Sequence, residues 1–256
     1  MNVMVEETCF RSRIRRSFAE HDRRAALGLV AGGLAASALI LPGCAKGDSG
    51  EKSEEGEGEV TANEDLMREH GVLRRILIVY RETAPKLADP SGVDATALAG
   101  AAAIFRTFGE RYHEQLLEEQ HIFPIVRKAG GAGGGLVDTL LAQHARGRAI
   151  TDYILDRTKS GRIADGDGAR LANAMTTFAR MYEAHTARED TVIFPEFKKT
   201  IGPKTYHELG EQFEEIERRE FGGDGFDMAL EKVSGIEQTL GLSDLAAFTA
   251  PAPPGS

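Results

Sequence analysis

The chain has 256 residues and a formal net charge of -9 at neutral pH. That length accommodates one or two domains, and the acidic balance excludes nucleic-acid binding through a broad basic face. Its two cysteines, Cys9 and Cys44, lie in settings that give them different fates, so neither is read as a disulfide partner.

Residues 1–24 are rich in Arg, the stretch from Ala25 to Leu41 is small, apolar and uncharged, and Leu41-Pro42-Gly43-Cys44 follows. A charged start, a short apolar run and a small-residue exit predict an export signal over residues 1–44. Arg23-Arg24-Ala25-Ala26-Leu27 resembles a twin-arginine (Tat) signal, and Leu41-Pro42-Gly43-Cys44 resembles a bacterial lipobox. Together the resemblances imply a lipoprotein modified at Cys44, membrane-anchored, periplasmic or at the cell surface, with Cys9 removed. A cleaved signal without lipid and an uncleaved anchor are the alternatives, the apolar run being at the short limit for a bilayer span. Residues 45–60 have almost no apolar content and many acidic groups, which predicts a disordered, self-repelling tether.

A first helix is expected from Asn63, as N-cap, to about Ala84, before Pro85. Its inner spacing 66, 70, 73, 77, 80 reads Leu, His, Leu, Leu, Tyr, which puts His70 inside. A second helix from about Asp94 carries Phe105, Phe108, Tyr112, His113, Glu118 and His121 up to Phe123-Pro124. The Gly-rich run 130–135 separates it from a third helix, about Leu136 to Thr158, with His144 on the inner stripe. A fourth, from about Gly168, sets Leu171, Met175, Phe178, Tyr182, His185, Glu189 and Val192 on one face. Pro124 and Pro195 each predict a kink or stop. The expected fold is all-α: an antiparallel up-down four-helix bundle over residues 61–201. Additional short C-terminal helices, Lys204 to Phe221 and Phe226 to Leu240, and a Pro-rich tail complete an appendage over 202–256. His207 is expected at the surface.

A lone inward histidine is more often a hydrogen-bonded core residue than a ligand. Four helices that each offer an inward histidine, two of them with a nearby glutamate, concentrate too much polarity on apolar stripes for that explanation. Imidazole with carboxylate suits iron, manganese or zinc, and two carboxylates able to bridge suggest two ions. A weak internal echo supports paired halves: Glu118 and Glu189 each stand six residues before the proline of an Ile-Phe-Pro.

From about Asn63 to Lys199 this pattern resembles the hemerythrin-like (HHE cation-binding) family. The resemblance implies a bundle holding a non-haem di-iron centre, with histidine terminal ligands and two bridging carboxylates. On this chain it implies the metal ligands His70, His113, Glu118, His144, His185 and Glu189, with His121 an additional or supporting candidate. Two departures stand out. Oxygen-carrying members have a second third-helix histidine where this chain has Arg148. The step from His113 to Glu118 is five residues, about 140° on an ideal helix, so either a π-bulge unites them or the Glu114, Glu118, His121 face substitutes.

The expected function is binding of, or reaction with, O2, NO or peroxide outside the cytoplasm. The alternative is a metal-stabilised binding module or sensor acting through the C-terminal helices on a protein partner the sequence does not identify. An enzyme such as a peroxidase or oxidase would need a substrate access route that the sequence does not display. No assembled nucleophile triad or phosphate-binding Gly loop is visible, which argues against hydrolase and nucleotide chemistry.

Overall fold

In the computed structural model, which describes residues 60–255, the helical spacing of the sequence becomes helices, and no strand forms among the described residues. The predicted export signal, Cys44 and nearly all of the tether lie outside the described residues. Among the described residues no helix is long and apolar enough to cross a membrane.

Helix α1 spans Ala62–Thr83. Its N-cap is Thr61, whose hydroxyl accepts from the Glu64 N–H at 3.4 Å, rather than the expected Asn63. Asn63 works over a longer range: its side-chain amide donates to the Phe194 carbonyl at 2.9 Å, and its N–H donates to the Tyr206 hydroxyl at 2.7 Å. Helix α2, Ala95–Ile104, starts at Asp94, whose carboxylate accepts from the Thr96 and Ala97 N–H groups. It runs on into a π-helical segment, Phe105–Ile122, and then α3, Phe123–Ala129. Gly130, at φ 76°, ends that rod. A single turn α4, Gly131–Gly134, leads to α5, Val137–Thr158.

Helix α6, Gly168–Arg188, continues through a π turn, Glu189–Ile193, into α7, Phe194–Phe221. Neither Pro124 nor Pro195 ends its helix, so of the expected kink or stop the stop does not occur. Each stands where a π segment reverts to α, just after a residue whose N–H reaches five positions back: Phe123 to Glu118 and Phe194 to Glu189. The missing proline N–H thus falls at a change of hydrogen-bond register, where it removes little. The break comes later, at Gly202 with φ 73°, before Pro203. Helix α8, Gly225–Leu240, follows a cap by Asp224.

Helix α1 packs against α6, α6 against α5, α5 against α2 and the long π segment, and these against α1. Tyr80, Phe105, Phe178 and Tyr182 fill the middle of this helical bundle, with ring centroids 4.6–5.6 Å apart. Each fully buried aromatic or aliphatic side chain of that kind contributes about 1.5–3 kcal/mol. The C-terminal helices are built into the same core: α8 lies on α1 and α2, and Phe213, Ile216, Ala229 and Val233 join the apolar cluster.

Candidate metal centre

The extra residue between His113 and Glu118 is absorbed by the π segment. Its i to i+5 hydrogen bonds stack residues five apart, where an α-helix would splay them. Both side chains therefore face the bundle interior, at 1% and 0% exposure. His121, three residues on, is turned outward: it is half-buried, 5.7 Å from the Phe213 ring, and belongs to neither of the histidine pairs at the centre. In the fourth stretch His185 and Glu189 share a face at i and i+4, as the sequence predicts, and the shorter π turn begins at Glu189.

The imidazoles meet in two pairs. His70 Nε2 is 2.9 Å from His113 Nε2, and His144 Nε2 is 3.1 Å from His185 Nε2. Between the pairs lie the two glutamates, each giving one oxygen to each side. Glu118 sets Oε1 3.5 Å from His113 and Oε2 3.4 Å from His144. Glu189 sets Oε2 3.5 Å from His70 and Oε1 2.9 Å from His185. The structure thus brings together His70, His113, Glu118, His144, His185 and Glu189. Their donor atoms form two groups able to hold a cation: Glu118, His144, His185 and Glu189; and His70, His113 and Glu118.

The far nitrogen of each of these four histidines is held, so the near one is free to ligate. His70 Nδ1 donates to Asp190 at 2.7 Å, His113 Nδ1 to Glu69 at 2.5 Å, His144 Nδ1 to Glu119 at 2.9 Å and His185 Nδ1 to the Gln143 carbonyl at 2.9 Å. These holders follow a two-fold repeat. Glu69-His70 matches Gln143-His144, and Glu118-Glu119 matches Glu189-Asp190. The arginines obey it too: Arg74, four residues after His70, pairs with Asp190, and Arg148, four after His144, pairs with Glu119. Arg148 therefore braces the carboxylate behind His144, as Arg74 braces the one behind His70. It also donates to Glu114 at 3.1 Å. Its guanidinium supplies the cation for a third acidic group, Glu114, Glu119 and His144.

Sequence reasoning missed Glu69, Gln143, Glu119 and Asp190. A signal existed for Glu69, which lies on the buried spacing 66, 69, 73, 76, 80 alongside Leu66, Leu73, Ile76 and Tyr80. Tyr182 both fills the core and donates its hydroxyl to Glu114 at 2.6 Å. Tyr112 likewise donates to Glu69 at 2.9 Å. Tyr153 is only partly buried, and the Arg157 guanidinium lies over its ring, 5.4 Å from the centroid. His207 is exposed, beside Glu211.

The electrostatics of the metal-free site are those of a cation cage. Burial would lower His113 and His144, but facing carboxylates outweigh it: Glu118 and Glu69 push His113 well above its ordinary value, and Glu114, Glu119 and Glu118 push His144 to about 9. Burial and the opposed Glu189 raise Glu118 to about 7. Glu189 is held low because His185, His70 and His144 outweigh its burial.

The donor set fits metal ions. All four oxygens of Glu118 and Glu189 are buried without a hydrogen-bond partner, a costly condition that a cation would relieve. Even the 2.9 Å approach of His185 to Glu189 lacks hydrogen-bond direction. Two donors about 2.1 Å from one ion and at right angles stand about 3 Å apart, close to the spacings seen here.

The family model described as the hemerythrin HHE cation binding domain matches residues 61–220. Uncharacterised proteins of Mycobacterium bovis and of two Mycobacterium tuberculosis strains are each 41% identical over 226 residues, covering 84% of this chain and 86% of the relative. No solved structure matches the chain.

Proposed function

The chain belongs to the hemerythrin HHE cation-binding family, and from this premise we propose that its helices form an antiparallel up-down four-helix bundle around a non-haem di-iron centre. His70 and His113 would ligate one ion, His144 and His185 the other, with Glu118 and Glu189 bridging. Bound iron would supply open coordination positions and redox capacity for O2, NO or peroxide.

The chain's own residues define what such a centre experiences. Asp190, Glu69, Glu119 and Gln143 fix each imidazole in the tautomer that aims Nε2 inward. Phe194 stacks 5.4 Å from His70, and Phe123 lies 5.4 Å from His144. These rings cap the pairs with apolar surface, which excludes bulk water and favours small ligands over extended substrates. The observation that carries the reading is the bridging geometry: two buried carboxylates without hydrogen-bond partners, each with one oxygen toward each histidine pair. Helices α7 and α8 bury apolar faces against the bundle, so the metal centre carries the reading and a docking role for them does not.

We place the mature chain outside the cytoplasm, lipid-anchored at Cys44, on the strength of residues 23–44 alone. Iron analysis of the full chain, with Glu118→Gln and Glu189→Gln as controls, tests the centre; native protein without bound transition metal after iron-supplemented expression would sink it. Membrane fractionation of a Cys44→Ser variant tests the anchor; retention in the membrane fraction would remove the lipid assignment.

A further inference from the structure

Behind the histidines, the two-fold repeat is broken at one position where the chemistry changes. The residue before His70 is a glutamate, Glu69, and its equivalent before His144 is a glutamine, Gln143. Each reaches across to a histidine of another rod: Glu69 accepts the Nδ1–H of His113 at 2.5 Å, and Gln143 accepts that of His185 at 2.9 Å. The other two holders match, since Asp190 behind His70 and Glu119 behind His144 are both carboxylates paired with an arginine. In the His70 and His113 pair both imidazoles therefore lean on a carboxylate. In the His144 and His185 pair only one does.

Burial widens the difference. Glu69 is 1% exposed and is fixed from a second side by the Tyr112 hydroxyl, whereas Gln143 is only partly buried. A hydrogen bond to a charged acceptor is roughly twice as strong as one between neutral groups, and a low local dielectric strengthens it further. Overall charge does not separate the two sides. Glu114 supplies a second carboxylate near His144, so each side has two carboxylates and one guanidinium behind its histidines. Glu114, however, lies 3.9 Å from His144 Nδ1 and accepts its hydrogen bonds from Arg148 and Tyr182. It adds charge without drawing on an imidazole N–H. What differs is the electron donation that reaches the centre through the imidazoles.

We propose that the Glu69 and Gln143 difference makes the two metal positions unequal. Glu69 makes the His70 and His113 position the tighter and more electron-rich, and Gln143 leaves the His144 and His185 position weaker and easier to reduce. This rests on the metal-centre reading above. A carboxylate that draws on one imidazole N–H raises the basicity of the opposite nitrogen, and replacing such a holder costs about tenfold to a hundredfold in metal affinity. The number of gathered donors alone orders the positions the other way: Glu118, His144, His185 and Glu189 on one side, and His70, His113 and Glu118 on the other. Yet Glu189 Oε2 already lies 3.5 Å from His70 Nε2 and needs little movement to join the second group. No movement gives an amide a charge.

The test titrates the metal-free full chain with cobalt(II), followed by calorimetry, in the native protein, Gln143→Glu and Glu69→Gln. Glu69 accepts from Tyr112 and His113 through separate oxygens, and an amide has only one acceptor oxygen. Glu69→Gln is therefore made together with Tyr112→Phe, and Tyr112→Phe alone is the control. Native protein is expected to bind two ions in steps about tenfold or more apart. Gln143→Glu should tighten the weaker step about tenfold and leave the tighter one, and the Glu69 variant should weaken the tighter step by about tenfold or more and leave the weaker. In iron-loaded protein the reduction potential should fall in Gln143→Glu and rise in the Glu69 variant, a change of opposite sign that a merely structural role would not produce. Equal steps in native protein, equal tightening of both steps by Gln143→Glu, or either variant acting on the other step overturns the proposal and leaves the metal centre standing. Native protein that binds no metal overturns the metal-centre reading and the proposal with it. If the Glu69 variant does not fold, Gln143→Glu, at a partly exposed position, decides alone.

Discussion

Gly147 on α5 faces the Tyr182 ring so closely that any side chain must move it. A Cβ there would stand 2.1 Å from the Tyr182 hydroxyl oxygen and 2.8 Å from Cζ. The backbone of Gly147 is helical, so strain does not enter; only space does. Gly147→Ala gains about 1 kcal/mol of helix propensity. Against this stand about 1–3 kcal/mol for overpacking a full core and about 1.5–3 kcal/mol for losing the Tyr182 hydrogen bond to the Glu114 carboxylate. The expected net loss is about 2–4 kcal/mol, or about 5–15 °C of melting temperature for a domain of this size. Thermal unfolding followed by circular dichroism measures it. Tyr182→Phe removes the oxygen that clashes most, so Gly147→Ala made in that background is expected to cost less than in the native chain, a coupling that a double-mutant cycle reads. An unchanged or raised melting temperature for Gly147→Ala, or strictly additive effects with Tyr182→Phe, would refute the packing argument.

The remaining predictions follow from the centre and its supports. His144 has a folded value of about 9 without metal, above the unfolded 6.5, so its contribution is fully present below pH 6.5 and is lost as pH rises through 9. Glu118, raised to about 7, acts in the same direction over a lower range. Metal-free protein should therefore lose about 3 kcal/mol between pH 6.5 and 9 from His144 alone, and metal-loaded protein should not; equal pH profiles for both forms in denaturant titrations would contradict this. His121→Ala is expected to keep the metal content of the native chain, because that ring lies against Phe213 rather than in the centre; elemental analysis decides. Asn63→Ala, which loses the bond to the Phe194 carbonyl, should cost about 1 kcal/mol, measured by urea unfolding.

Much of this site was legible before any coordinates. Inward histidines on apolar stripes and the His185, Glu189 pair follow from helical periodicity, since one turn is a fixed angle. The second helix was less legible because a π segment changes that angle, and a five-residue step could be read toward Glu118 or away from it. The same change of register hid Glu119 and Asp190: in a plain α-helix a residue beside a ligand points about 100° away, whereas here both neighbours reach a histidine on another rod. Arg148 resembled a lost ligand when set against a family pattern. Set against Arg74 in its own chain, it is a brace for the acid behind a histidine. The stop expected as one outcome at the prolines fails for a related reason, since their cost depends on hydrogen-bond register and not on helix alone.

The central claim is that two histidine pairs and two shared carboxylates hold two metal ions. Titration of the metal-free full chain with iron(II) under anaerobic conditions, followed by elemental analysis, tests it most directly. The account predicts saturation near two ions per chain for the native protein and loss of both when Glu118 and Glu189 are replaced together by Gln. One ion per chain would contradict the bridging geometry, and none would contradict the metal centre itself.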